Sequence, residues 1–367
     1  MTMKPYAPMR LPIERLDWKP FIRFIGPANA ALARYDGILQ AVLNPHILLS
    51  PLTTQEAVLS SQIEGTQATI EEVFKFEGAS EAPKEESRKQ DITEIINYRK
   101  AMQYALGELK GKPINLNLLH QLHYILLDSV RGQDKARGEF RKIQNWIGKP
   151  GFSIEQAIYI PPEPLKVMDY MSNLERYIHY DEEDRLIQLA IVHAQFEIIH
   201  PYIDGNGRLG RMLIPLFLFE KKQLSSPMFY LSAYLEAHRE EYCSRLNAIS
   251  TDKDWTGWIL FFLNAVNEQA NVNINKAKSI LDLYSAKKEK ISRLTRSRYA
   301  IQTADTLFKI PFFTSTRFIA ESKIPKMTAM RILQVLEKNE VIEVIRAASG
   351  SMPALYMFRK LVGIVKV

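Results

Sequence analysis

"HPYIDGNGRLGR", residues 200–211, decides how this chain folds and which chemistry it can support. Gly205-Asn206-Gly207 is a permissive loop that opens a helix continuing through "MLIPLFLF" (212–219). Consecutive backbone N–H groups at such a helix start make a ready anion site. Arg208 and Arg211 are three apart, on adjacent turns of one face, so two guanidinium groups can converge on the same anion. Asp204, just before the loop, is a hard oxygen ligand suited to Mg²⁺, which commonly takes a carboxylate or two plus phosphate oxygens. His200, before Pro201 near the end of the preceding helix, can remove a proton at neutral pH. Taken singly, these residues read as a helix junction with solvated charges. Taken jointly, they describe a nucleotide polyphosphate site beside a nucleophile to be activated.

Around this stretch most of the first 280 residues carry helical periodicity. The spacing predicts helices over 53–65, 85–109, 116–129, 164–180, 184–199, from about 206, over 229–249 and from 255. Between 131 and 164 the pattern changes. "FRKIQNWI" and "AIYI" predict a two-stranded hairpin closed by Pro161-Pro162. The segment 267–300 is polar yet helix-compatible and reads as a connector. At the end of the chain, "TSTRFIAESKIPKMTAMRILQVLEKNEVI" (314–342) predicts helix, turn and helix, and 343–358 a strand, a glycine turn and a strand. That order is the winged-helix pattern. The expected organisation is an N-terminal helical extension (1–99), a core (100–265), a connector (266–300) and a C-terminal winged helix (301–367).

Composition narrows the function classes. The chain has 367 residues, 46% hydrophobic and 24% charged, ordinary for a globular protein of two or three domains. Its apolar runs fall far short of the roughly 20 residues that a membrane span needs. The N-terminus has no apolar core of a secretory signal, and one cysteine, Cys243, excludes an internal disulfide. The cytoplasm is the expected compartment. Residues 290–367 hold 14 Lys+Arg against 5 Asp+Glu, a net of +9 in a chain of +7, so residues 1–289 carry −2. The basic end suggests DNA as a partner, through Lys326, Arg331 and Arg346. A protein-docking or dimerising module with a basic surface is the competing reading.

The 200–211 stretch resembles the signature of the Fic (Fic/Doc, or Fido) family, H-P-F-x-(D or E)-G-N-G-R-x-x-R, with Tyr202 in place of phenylalanine. "RGQDKARGEFRKIQNWIG", "AIYIPP" and "LSAYLEAHREEYCSRL" are also similar to family segments. The resemblance implies a mostly α, Fic-type helical core with a small β-hairpin flap. It further implies transfer of AMP from ATP to a Ser, Thr or Tyr hydroxyl of a target protein. His200 is then the general base and Asp204 the Mg²⁺ ligand. Gly205, Asn206 and Gly207 surround the α-phosphate, Arg208 takes the β-phosphate and Arg211 the γ-phosphate. The flap (about 148–162) holds the target, and Tyr242 contacts adenine. Arg208 and the intact glycine loop differ from Doc-type kinases and point to nucleotidyl transfer.

"SSQIEG" (60–65) fits the family's inhibitory-helix pattern, (S or T)-x-x-x-E-(G or N), with Ser60 and Glu64. Alone it reads as a solvated helix end; upstream of this signature it implies a brake. Glu64 would hold Arg211 and deny the γ-phosphate its seat, with Ser60 reaching the phosphates or the glycine loop. Removing one partner of a buried ion pair costs roughly 3–5 kcal/mol. Self-modification, a DNA-binding regulator or toxin–antitoxin role, removal of AMP by the same site, transfer of another nucleotide such as UMP, and pairing with a second copy all stay open.

Overall fold

The computed structural model describes residues 4–42, 44–79, 85–128, 136–148, 151–350 and 352–366. The helices are α1 (Ile22–Ala41), α2 (Pro45–Leu48), α3 (Ser50–Ile63), α4 (Ile70–Ala79), α5 (Glu86–Glu108), α6 (Leu116–Leu126), α7 (Val167–Ile178), α8 (Arg185–Ile199) and α9 (Asn206–Glu220). They continue as α10 (Ser232–Ala237), α11 (Arg239–Asp252), α12 (Trp255–Thr295) and α13 (Ala300–Lys309). The chain ends with β1 (Phe312–Thr314), α14 (Ser315–Ser322), α15 (Lys326–Lys338), β2 (Glu343–Arg346), β3 (Leu355–Met357) and α16 (Arg359–Lys366).

Local chemistry sets several boundaries. Asp184 caps α8 by accepting from the Leu186 and Ile187 N–H groups, and Asn115 caps α6 from Leu118. Pro51 opens α3, where its missing N–H costs nothing. Glu64 caps the other end, followed by Gly65 at φ +96°, a conformation that favours glycine.

α8 and α9 are buried on nearly every side, so they form the centre of the molecule. They pack on each other, and α3, α5 and α6 each pack on α9. α3, capped at its end by Glu64, and the signature helix α9 are therefore direct neighbours. α12 runs unbroken for 41 residues along α1 and α8 and then along α13, α15 and α16. Most of the stretch expected as a connector, 267–295, belongs to that helix, and it buries Ile274, Ala277, Ile280 and Ile291. The expected helix over 229–249 is instead two, broken at His238. The His238 imidazole bonds the Tyr234 carbonyl while its backbone leaves the helical region.

The C-terminal strands form one antiparallel sheet in the order β1-β3-β2, with Phe313 opposite Tyr356 and Val344 opposite Tyr356 on the other side. This sheet meets the N-terminal extension. Phe74 of α4 stacks on Phe312 at 6.2 Å, and Lys366 of α16 pairs with Glu71. Gly78 lies so close to β1 that a Cβ there would stand 1.9 Å from the Phe312 carbonyl oxygen. Backbone cannot yield cheaply to such overlap. Gly78→Ala is expected to lower stability by about 1–3 kcal/mol, read from the midpoint of urea unfolding.

Among the described residues the expected flap hairpin reduces to a single bridge, Ile147 with Tyr159. Local bonds replace the ladder: Trp146 Nε1 donates to the Phe152 carbonyl, Ser153 caps a short turn at Ile154–Gln156, and the Tyr159 hydroxyl donates to the Ile198 carbonyl. Prolines 161 and 162 then offer no donor to extend it. Residues 149–150 of the flap, and 129–135 of the segment leading to it, lie outside the described residues.

Candidate active site

The chain leaves α8 at His200, which adopts φ +49°, ψ +59°. A left-handed non-glycine residue is uncommon and has to be held by its surroundings. Here Arg141, itself 2% exposed, does the holding. Its Nε donates to the His200 carbonyl at 2.9 Å, its backbone N–H to the Pro201 carbonyl at 2.9 Å, and its Nη2 to the Pro162 carbonyl. The His200 Nδ1 lies 3.3 Å from the Glu197 carbonyl. With the proton there, Nε2 keeps its lone pair. Burial pushes the imidazole down to about 4, so it is neutral at physiological pH and able to accept a proton.

Tyr202 anchors the turn by stacking on His123, ring centroids 3.8 Å apart. Asn206 closes it. Its Oδ1 accepts from the Tyr202 N–H at 2.8 Å and its Nδ2 donates to the Tyr202 carbonyl at 2.9 Å. The Asn206 amide thus shapes the loop from within, while the Gly205–Gly207 backbone lines the mouth of α9. Asp204 accepts from the Gly205 N–H at 2.6 Å and, at 3.3 Å, from Arg208 Nη2. Its side chain is 43% exposed. Among the described residues no cluster of three or more His, Cys, Asp or Glu could hold a metal by itself. One open carboxylate fits an ion that draws its other ligands from phosphate oxygens and water.

Arg211 is 2% exposed and is held from α3 by three contacts. Nε donates to Ser60 Oγ at 2.9 Å, and Nη2 donates to the Ser60 carbonyl at 2.8 Å and to Glu64 Oε1 at 2.6 Å. Burial alone would raise the Glu64 carboxyl. The Arg211 charge and hydrogen bond, with Arg208 and His200 behind, bring it below the usual carboxylate range. Burial likewise opposes the Arg211 charge, and Glu64, together with Tyr242 and Glu197, more than offsets it. Glu64 Oε1 would stand 2.1 Å from a Cβ at Gly207, so the carboxylate covers the glycine loop.

Ser60 turns both its oxygens to the Arg211 guanidinium, because α3 presents that turn to α9. Tyr242 is 3% exposed and points into the core, its hydroxyl 3.0 Å from His193 Nε2, whose Nδ1 lies 3.1 Å from the Gly210 carbonyl. Through His193 it props α9 from beneath. Two residues escaped the sequence reading. Arg141 is one. The other is Glu94 of α5, whose Oε2 accepts from Arg208 Nη1 at 2.7 Å with both side chains buried. The available signal was Glu94's place on the stripe of Ile95, Tyr98 and Met102, where a charge has to find a partner.

Residues 22–107 match the profile described as Fic/DOC family N-terminal, and residues 113–218 that of the Fic/DOC family. A probable protein adenylyltransferase of Aquifex aeolicus is 27% identical over 199 residues, 52% of this chain and 56% of its own length. Protein adenylyltransferase Fic of Drosophila melanogaster is 23% identical over 267 residues, 71% of this chain and 44% of its own. The chain thus spans about half the length of these curated relatives. A Fic family protein from Desulfovibrio desulfuricans G20 superposes with a TM-score of 0.62 at 18% identity, covering 97% of this chain and 98% of that one. A fragment of Fic-1 from C. elegans reaches 0.53 at 16% identity, over 71% and 72% of the two chains. The same helical architecture, the two profile matches and a signature loop that builds one site agree: this chain belongs to the Fic/DOC family.

Proposed function

We propose that the protein transfers AMP from ATP to a hydroxyl side chain of a target protein, and that Glu64 restrains it. The observation that carries this reading is a neutral histidine at the mouth of α9 beside two buried arginines, each held by a glutamate of the N-terminal extension. The target oxygen attacks the α-phosphorus and its proton passes to His200 Nε2. The bond from the α-phosphorus to the bridging oxygen breaks, and diphosphate leaves. The Gly205–Gly207 backbone faces the charge that builds on the α-phosphate, and Arg208 and Arg211 meet the β- and γ-phosphates. Asp204 would hold Mg²⁺, which when bound neutralises phosphate charge. While Glu64 keeps Arg211, the γ-phosphate lacks its cation, and a misplacement of about 1 Å can cost on the order of a hundredfold in rate.

The test is incubation of the Glu64→Gly protein with α-labelled ATP and Mg²⁺, alone and in lysate. Discrete labelled proteins support the reading; labelled UTP in place of ATP tests the alternative nucleotide. Labelling of the protein itself and nothing else would favour self-modification.

The C-terminal unit supports a second role. Its order of helix, strand, two helices and hairpin is that of a winged helix-turn-helix, which we propose it to be, with α15 as the recognition helix. Lys326 and Met327 lie exposed at its start, while Ile332, Leu333 and Leu336 face the core. Duplex DNA is the partner that this arrangement fits. Its binding should weaken by at least about tenfold between 50 and 200 mM salt in a gel-shift titration, as phosphate contacts require. Salt-independent or absent binding would leave the unit as a protein-docking module. No described helix is long and apolar enough to cross a membrane.

A further inference from the structure

Each arginine of α9 is met by a carboxylate from the N-terminal extension, but the two carboxylates are mounted differently. Glu64 sits at a helix end beside Gly65, and its side chain keeps 39% of its surface exposed. Rotation of the backbone there can carry it away from Arg211. Glu94 lies in the third turn of the 23-residue α5, its side chain 7% exposed, on a helix packed against α3, α6 and α9. Its backbone cannot shift unless the whole helix moves.

The Arg208 guanidinium shows the consequence. Nη1 is committed to Glu94 at 2.7 Å. Nη2 lies 3.3 Å from Asp204 Oδ1, and Nε is buried with no hydrogen-bond partner among the described residues. Nη1 is fixed, while Nη2 stays close to the carboxylate expected to hold the metal and Nε is left uncommitted. Buried donors are rarely left unmade without a reason.

We propose that Glu94 is a positioning residue for nucleotide transfer: it fixes Arg208 in the restrained and the released enzyme alike, keeping the remaining donors turned toward the β-phosphate of a nucleoside triphosphate. The inference rests on the ATP reading above. Glu64 and Glu94 therefore act in opposite senses, the first removing a cation from the site and the second presenting one.

The experiment measures ATP·Mg²⁺ affinity by calorimetry, and KM and kcat for transfer, in the Glu64→Gly background. Glu94→Ala is expected to weaken ATP binding at least tenfold and to raise KM more than it lowers kcat. Glu94→Gln retains an acceptor for Nη1 and should stay within threefold of the parent. In an Arg208→Ala background, Glu94→Ala should add less than twofold, because the partner it positions is gone. If Glu94→Ala does not fold, Glu94→Asp decides: the shorter side chain should weaken ATP binding several-fold. Unchanged affinity in Glu94→Ala or Glu94→Asp overturns the proposal. So does increased activity, which would make Glu94 a second brake, or an equal loss with and without Arg208, which would make it a fold residue alone. If the Glu64→Gly parent itself binds no ATP, the nucleotide reading falls and this proposal with it. If the parent binds and the Glu94 variants match it, only this proposal falls.

Discussion

Glu64→Gly is expected to raise AMP transfer more than tenfold over the unaltered protein, self-labelling included. The substitution removes the Glu64 carboxylate from Arg211 and also uncovers the Gly205–Gly207 loop, which the carboxylate now shadows. The half-exposed side chain of Glu64 means that solvent weakens the pair, so its grip is less than that of a fully buried one. Its effect on rate comes from place rather than strength, since a small error at the γ-phosphate carries through to the α-phosphorus. Ser60 still holds Arg211 through two oxygens after the change. Ser60→Ala in the same background should therefore add a further, smaller gain. The measurement is incorporation of label from α-labelled ATP at matched protein concentration. Equal incorporation by the two forms would refute the brake.

His200→Ala is expected to lower transfer by about 10²–10⁴-fold, whether Glu64 is present or not, the range that a positioned general base commands. ATP affinity should change less than threefold, because the proposed mechanism gives the imidazole to the attacking hydroxyl and not to the phosphate tail. Retained transfer in the variant would remove His200 from the mechanism. The acid side of the pH profile carries the same information. His200 is held down to about 4 by burial, so the base form persists well below neutrality and is lost only as pH falls toward that value. The unfolded chain takes up the proton nearer 6.5. Below about pH 6.5 the histidine therefore works against folding, and thermal midpoints of the unaltered protein should fall there while those of His200→Ala fall less.

Much of this site could be read from the sequence because its residues are contiguous. A loop and the first turn of the following helix fix their own relative positions, so His200, Asp204, Arg208 and Arg211 needed no tertiary knowledge to be grouped. Glu64 was legible through a short pattern and the company of that loop. Glu94 was not, because its partner stands 114 positions away and an acidic residue on a long amphipathic helix carries no label. Arg141 shows the same difficulty. A lone arginine in a glycine-rich segment reads as solvated, and its burial follows from the carbonyls of 162, 200 and 201 converging on it. The bond from Tyr242 to His193 was not legible either, because sequence spacing on α11 does not say which side of that helix turns inward. The flap lost its ladder to side-chain bonds that propensity does not register.

The uninterrupted α12 has a mechanical meaning. Near its start Trp258 is fastened to the Ala190 carbonyl of α8, and toward its end it bears the small sheet unit. Its 41 residues span about 60 Å, so each degree of tilt at one end sweeps the other through about 1 Å. A stiff rod of that length, with no break in it and with the sheet unit also seated on α3 and α4, ties the basic end of the chain to the same helices that bury the signature loop.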